Sequence, residues 1–292
     1  MTKEHQSHLK HIKKLPTVII GMPVYNGEKH IRRALNSLLA QRFSNFEIII
    51  SDNASADATG DICSEYATRD NRIKYIRQKT NIGAAANYNF LLDNAHAKYF
   101  FFAPYDDEWL EDWVGEAVQA LEISPEASIA LGTIEFVNRN NDIIARALPP
   151  WSLDQNTAIQ RIKYYLNTEV TDHLLYGVMR SNSIRKFRLG LGETSPERAL
   201  IFTLLAAGKI VNSPRMKMIN HMSHKTQSEL YEFFQFKRWY WANLKTHISI
   251  LLVFFKTLSF QVAGVVIATY FLEMVMRKVF KKKRKAGNVN YL

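Results

Sequence analysis

A chain of 292 residues that is 47% hydrophobic can bury a large core in one elaborated domain, or in a domain with a tail. Its one cysteine, Cys63, excludes an intramolecular disulfide and fits a reducing compartment. The net charge of +11 sits at the ends, with +3 on residues 1–14, +7 on residues 277–285 and about +1 on everything between. A nucleic-acid-binding face would carry its charge on the folded body, so the distribution argues against a nucleic-acid partner.

Residues 1–15 form a polar, basic arm with no apolar stretch and hence no secretory signal. Residues 17–22 (Thr-Val-Ile-Ile-Gly-Met) read as a buried strand that ends in Pro23-Val24-Tyr25-Asn26-Gly27. Ile31, Ala34, Leu35, Leu38 and Leu39 then fall on one face of an amphipathic helix. A second strand over 46–50 ends in Ser51-Asp52-Asn53-Ala54-Ser55. It is followed by a helix with Ile62, Cys63, Tyr66 and Ala67 inward and by a third strand around 73–75. Residues 98–103 (Lys-Tyr-Phe-Phe-Phe-Ala) form a further short strand, which delivers Asp106 and Asp107 to its end through Pro104 and Tyr105.

Strand–helix alternation with short links predicts a parallel sheet wound by right-handed crossovers, with ligands at the carboxyl ends of the strands. Tyr25, Asp52 and Asp106-Asp107 all fall at such ends. Adjacent carboxylates repel each other, which makes sense where a divalent cation and a phosphate share the site. The alternative is a solvated turn capping a helix that begins near Trp109. Downstream, residues 174–180 read as a strand, and Ser195-Pro196-Glu197-Arg198 opens a helix running to Gly208. His221 and His224 fall on a loop ahead of an amphipathic helix containing Gln235-Phe236-Lys237-Arg238-Trp239; the loop is either plainly solvated or lets His224 reach the metal.

Five segments stand in an order and spacing that resembles the family 2 glycosyltransferases: Pro23 to Glu28, Ser37 with Gln41, Ser51 to Ser55, Asn81-Ile82-Gly83 with Asn87, and Tyr105-Asp106-Asp107. The resemblance is close over residues 16–115 and looser to about 225. It implies an α/β GT-A domain over 16–225, a Rossmann-like nucleotide-binding sheet flanked by helices, with a donor half at 16–115 and an acceptor half at 116–225. It further implies transfer of a sugar, with inversion, from a nucleoside-diphosphate sugar to an acceptor. Pro23, Val24 and Tyr25 would line the base pocket, with Asn26, Glu28, Asn81 and Asn87 also on the nucleotide-sugar side. Asp52 would accept from the base or ribose, Asp106 would face the ribose, and Asp107, with Asp106, would hold Mn²⁺ or Mg²⁺. Glu197 stands where the family carries its general base, with Glu193 as the runner-up. This sequence departs from the family pattern at Pro104, where another Asp is frequent, and at Asn53-Ala54, where Asp-Gly is common. Gln235-Phe-Lys-Arg-Trp239 resembles the signature of processive members, in which Arg238 would clamp diphosphate and Trp239 stack on a sugar. The plainer alternative is a helix whose Trp239 and Trp241 pack on the body or meet a membrane interface.

The most apolar stretch is 248–276, followed directly by the basic tail at 277–285, within a C-terminal helical region over 226–292. Its uncharged part, 257–272, has 16 residues between Lys256 and Glu273, short of the ~20 that cross a bilayer. A body that uses cytosolic nucleotide sugars and a polybasic end that prefers the cytosol belong on one side. This favours a membrane-associating tail that lies in the plane or re-enters, drawn to anionic lipid, at the cytoplasmic face of the inner membrane. A single span, or a helix packed on the body or on a second subunit in a homodimer, are the alternatives. Membrane attachment suggests a lipid-linked saccharide acceptor in surface-polysaccharide assembly. A catalytically silent relative serving as a membrane scaffold is the rival from another functional class.

Overall fold

The computed structural model describes residues 15–147, 155–167, 172–189 and 196–222. Strands β1 (Val18–Val24), β2 (Phe46–Asp52), β3 (Ile73–Arg77) and β4 (Tyr99–Phe102) form the parallel part of one sheet, in the order β3-β2-β1-β4. They are linked by helices α1 (Ile31–Leu39), α2 (Thr59–Arg69) and α3 (Ala84–Asp93). Every residue of β1 and β2 is buried, as continuous apolar runs covered on both faces require.

The sheet continues past β4 with mixed polarity. It adds β5 (Glu108–Trp109), β6 (Ala127–Val137), β7 (Ile143–Ala147), β8 (Val178–Arg180) and β9 (Lys209–His221). The order runs β4-β8-β6-β9-β5, with β7 on β6. β8 is antiparallel to both β4 and β6, β9 is parallel to β6, and β5 is antiparallel to β9. Helices α4 (Trp113–Ile123), α5 (Ala158–Asn167), α6 (Ser181–Ile184) and α7 (Pro196–Ala207) complete the described elements.

Two apolar layers flank the sheet. Val18, Ile20 and Met22 of β1 pack with α1, α2 and α4, including Ile31, Leu35, Cys63 and Trp113. Ile19, on the other face, packs with Leu91 of α3, Ile162 of α5 and Phe202 of α7. The alternation along one strand therefore places helices on both faces of the sheet.

Three sequence expectations need correction. Residues 174–180 are a short 3₁₀ turn (Asp172–Tyr176) followed by the three-residue β8, rather than one strand. At Gly177 a Cβ would stand 2.5 Å from the Ile129 side chain and 2.8 Å from the Ala130 carbonyl, so the chain bends at a point of close approach. No helix begins near Trp109: Glu108 and Trp109 pair with Ile219 and Met218, and α4 starts only at Trp113. His221 is the last residue of β9 and is buried, so it does not lie on a solvated loop. In each case a distant strand claims residues whose local pattern is ambiguous.

The pairing of β6 with β9 contains a pronounced bulge, because Leu131 faces Asn212 while Thr133 faces Lys217. At its centre a Cβ on Gly132 would stand 2.3 Å from both the Cβ and the carbonyl oxygen of Met216. Gly132→Ala is expected to cost about 1–3 kcal/mol, the usual scale of overpacking, because backbone cannot give way as a side chain can. Urea unfolding of the variant against wild type measures this.

Candidate functional site

The carboxyl ends of β1, β2 and β4 share one edge, and the loops leaving them interlock. Asn26, with φ of 52°, turns the chain after β1. Its backbone N–H donates to Ser55 Oγ (2.9 Å) and its Oδ1 accepts from the Ala56 N–H (2.8 Å). Gly27 donates to Thr59 Oγ1 (2.8 Å), and any Cβ there would lie 2.7 Å from the Tyr105 ring. Glu28 Oε2 accepts from the Ala58 N–H (3.0 Å), while Asp57 Oδ1 accepts from Thr59 N (3.0 Å). The amides at the start of α2 are thus capped by the chain's own side chains.

Asp52 ends β2 with no exposure to solvent. Oδ1 accepts from the Ser55 N–H (2.9 Å), and Oδ2 accepts from Tyr75 Oη (2.8 Å) and Arg77 Nη1 (3.4 Å). Three own-chain donors leave about one of the four lone-pair directions of this carboxylate. Gly60 makes the arrangement feasible, since a Cβ there would lie 2.6 Å from Arg77 Nη1 and 3.0 Å from Tyr75 Oη. Asn53 Nδ2 donates to Asn81 Oδ1 (2.9 Å), and Asn87, buried, donates to the Ser51 carbonyl (2.9 Å). Asn81 and Asn87 therefore tie the loop before α3, and α3 itself, to the end of β2. Among the expected base-pocket residues Pro23 and Val24 are buried within β1, whereas Tyr25 is 45% exposed on the edge.

Ser37 and Gln41 reach from α1 into the segment after the acids. Ser37 Oγ accepts from the Trp109 N–H (3.2 Å), Gln41 Nε2 donates to the Leu110 carbonyl (2.8 Å), and Gln41 Oε1 accepts from the Val114 N–H (2.9 Å). Ser37 on α1 and Gln41, two residues past its end, thereby hold both the strand and the helix that follow the acid pair.

Asp107 is 1% exposed. Its Oδ1 accepts from the His221 N–H (3.3 Å) and its Oδ2 from Asn220 Nδ2 (3.1 Å), an amide that also lies 3.2 Å from Tyr176 Oη. Burial first, and then the Asp106 charge, push the Asp107 carboxyl well above the usual carboxylate range, against those two donors. Burial and the same pair of acids raise the Tyr176 phenol well above its ordinary value. Burial also holds the His221 imidazole below its ordinary value, although its ring nitrogen meets Glu108 Oε1. Arg33 from α1 donates to the Asp106 carbonyl (2.9 Å) and lies 3.2 Å from Glu108 Oε1. The sequence reading missed Arg33, Glu108, Tyr176 and Asn220, which reach the acids from α1, β5, the 3₁₀ turn and β9.

Glu197 stands in the first turn of α7, as the sequence predicts. Glu193, His224, Arg238 and Trp239 lie outside the described residues, as does the whole of 223–292. Among the described residues no three His, Cys, Asp or Glu side chains converge to hold a metal, and no helix is long and apolar enough to cross a membrane.

The raised Asp107 carboxyl has a definite consequence for stability. In the window between the ordinary carboxylate pKa and the raised one, the folded chain keeps a proton that the unfolded chain has lost. Stability therefore falls as pH rises through that window. Without metal, Asp107→Asn is expected to melt at or above wild type at pH 8, with its relative advantage gone below the ordinary carboxylate range. Thermal unfolding in EDTA across pH measures the difference.

The model of the family described as "Glycosyl transferase family 2" matches residues 19–187. Over 158 residues, 54% of this chain and 61% of the relative, the sequence is 29% identical to the UDP-Glc:alpha-D-GlcNAc-diphosphoundecaprenol beta-1,3-glucosyltransferase WfgD of Escherichia coli. The chain covers 17%, 27%, 44% and 61% of the lengths of four curated relatives that it matches. Residues 1–349 of Staphylococcus aureus TarS, crystallised with UDP, superpose with a TM-score of 0.61 at 18% identity, over 87% of this chain and 70% of that one. The mannosyltransferase PcManGT of Pyrobaculum calidifontis, in complex with GDP-Man and Mn²⁺, superposes with a TM-score of 0.55 at 14% identity, over 98% of this chain and 82% of that one. These structures share the GT-A fold with the sheet described above, and the chain belongs to glycosyl transferase family 2.

Proposed function

We propose that this chain transfers a sugar, with inversion, from a nucleoside-diphosphate sugar to an acceptor at the carboxyl edge of β1, β2 and β4. The observation that carries this reading is Asp107, a carboxylate buried beside a second one at a strand end, with two hydrogen-bond donors and, among the described residues, no ion-pair partner. Family membership and the UDP-bound and GDP-Man-bound relatives support the donor class.

The acid pair fits a divalent cation. Asp106 and Asp107 are hard oxygen donors on one loop, and Arg33, whose guanidinium holds the Asp106 carbonyl, is ion-paired with Glu108. Asp107, with Asp106, would hold Mn²⁺ or Mg²⁺ alongside the diphosphate. Such an ion, when bound, supplies charge neutralisation to the leaving diphosphate. The chain's own residues do the rest. Exposed Tyr25 offers a stacking face to the base, and Asp52 holds Tyr75 and Arg77 in the wall of the same pocket. Glu197 takes the proton of the acceptor hydroxyl as that oxygen bonds to the anomeric carbon and the bond to diphosphate breaks on the opposite face.

The acceptor proposed is a lipid-linked saccharide of surface-polysaccharide assembly, a reading supported by the diphosphoundecaprenol acceptor in the name of WfgD. We assign residues 16–225 to the transferase domain and attribute attachment to the cytoplasmic face of the membrane to 226–292, which lie outside the described residues. The charge at 277–285 supports that attachment.

The test is a panel of nucleotide sugars with Mn²⁺, read as thermal stabilisation and as release of nucleoside diphosphate. Asp107→Asn is expected to abolish both metal-dependent stabilisation and turnover; wild-type turnover in that variant would overturn the metal assignment. Glu197→Gln is expected to keep donor affinity and lose ~100-fold or more in transfer, the usual scale for a general base. Equal loss of donor affinity would shift the assignment to Glu193.

Deletion of residues 248–292 is expected to release the chain from anionic vesicles while its nucleotide affinity persists, because every proposed donor residue precedes residue 110. Vesicle flotation of the full and shortened chains measures this. Retained flotation would place membrane attachment elsewhere.

A further inference from the structure

Arg33, Glu108 and His221 form a circuit that begins and ends on the two acids. Arg33 Nη2, from α1, donates to the backbone carbonyl of Asp106 (2.9 Å). Its Nε stands 3.2 Å from Glu108 Oε1, and the same oxygen meets the ring nitrogen Nε2 of His221. The backbone N–H of His221 then donates to Asp107 Oδ1. α1 precedes the acids by about seventy residues and β9 follows them by more than a hundred. The loop thus hangs between two elements that have no covalent reason to keep their spacing, and Glu108 is the side chain on which both converge.

We propose, building on the donor-site reading above, that Arg33 and Glu108 are positioning residues: they fix Asp106 and Asp107 against β9 so that both carboxylates stay aimed at a metal–diphosphate ligand. Glu108 and His221 are not themselves placed as ligands, since among the described residues no three such side chains converge. Their effect passes through the acids. The two carboxylates repel each other, and a loop free to relax would swing the less buried member, Asp106, away. Arg33 opposes this by holding the Asp106 carbonyl, and Glu108 opposes it by bracing Arg33 against a strand end. Outer partners of this kind orient metal ligands, and losing one typically costs about 10–100-fold in metal affinity. The pairing of β5 with β9 and the clamp from Ser37 and Gln41 act further on, from Glu108 to Val114, and leave the Asp106 carbonyl to this circuit.

The experiment uses the full chain as wild type, Arg33→Ala, Arg33→Lys, Glu108→Gln and the double variant Arg33→Ala with Glu108→Gln. Amide hydrogen exchange reads the loop, and Mn²⁺ titration in the presence of UDP or GDP, whichever stabilises wild type, reads the acids. In Arg33→Ala and Glu108→Gln, exchange over residues 103–110 is expected to quicken about tenfold or more, while β1 and β2 stay protected. Half-saturation by Mn²⁺ is expected to rise about 10-fold, the lower end for outer partners of a metal site, with Arg33→Lys between wild type and Arg33→Ala. The double variant is expected to be no worse than the weaker single one, because both break one circuit.

Unchanged exchange over 103–110 overturns the proposal. So does faster exchange with unaltered Mn²⁺ half-saturation, which would make the circuit merely structural. If neither nucleotide stabilises wild type, the donor-site reading fails instead, and the exchange measurement alone then decides whether the circuit holds the loop.

Discussion

Everything at the carboxyl edge depends on one unfavourable act, the burial of the Asp107 carboxylate beside a second acid. A carboxylate out of water and next to a like charge is held only if the surrounding protein is stiff enough to keep it there. The stiffness comes from β9, whose final residues supply an amide from Asn220 and a backbone N–H from His221. β9 in turn reaches this point through its long parallel pairing with β6 and through the bulge opposite Gly132. Strand β9, more than a hundred residues past the acids, is therefore a structural member of the edge that carries them.

The same logic explains why the conspicuous motifs in the first hundred residues serve largely to hold loops. Asn26, Glu28 and Asp57 cap the start of α2, so those amides are committed within the chain. Asn53, Asn81 and Asn87 join the end of β2 to α3 and the loop ahead of it. Ser37 and Gln41 hold β5 and the start of α4. These side chains satisfy buried or half-buried backbone groups that irregular loops would otherwise leave unpaired. The exposed surface left over has Tyr25 at its rim. A rigid edge of this kind holds the two like charges of Asp106 and Asp107 in place.

Asp52 shows how far an expected contact can be qualified by its surroundings. Its position at the end of β2 was legible from the apolar run that precedes it. The donors from Ser55, Tyr75 and Arg77 were not, because they come from a turn and from the neighbouring strand β3. Gly60 completes the cluster from α2, where its absent side chain makes room for Arg77.

By itself the sequence determined the parallel half of the sheet, the faces of α1 and α2, and the gathering of Tyr25, Asp52 and the acid pair at strand ends. Continuous apolar runs and helical periodicity are local signals, and parallel βαβ units translate them directly into arrangement. It also carried the family's motifs in order, and with them the family. Only the tertiary structure decided what lies against the acids. Glu108 and Trp109 became a strand because β9 offered them pairing, His221 became buried because it ends that strand, and residues 174–180 broke at Gly177 because Ile129 and Ala130 crowd it. Each outcome rests on contacts between segments far apart in the chain. Their energy comes from pairing and burial that no local window contains.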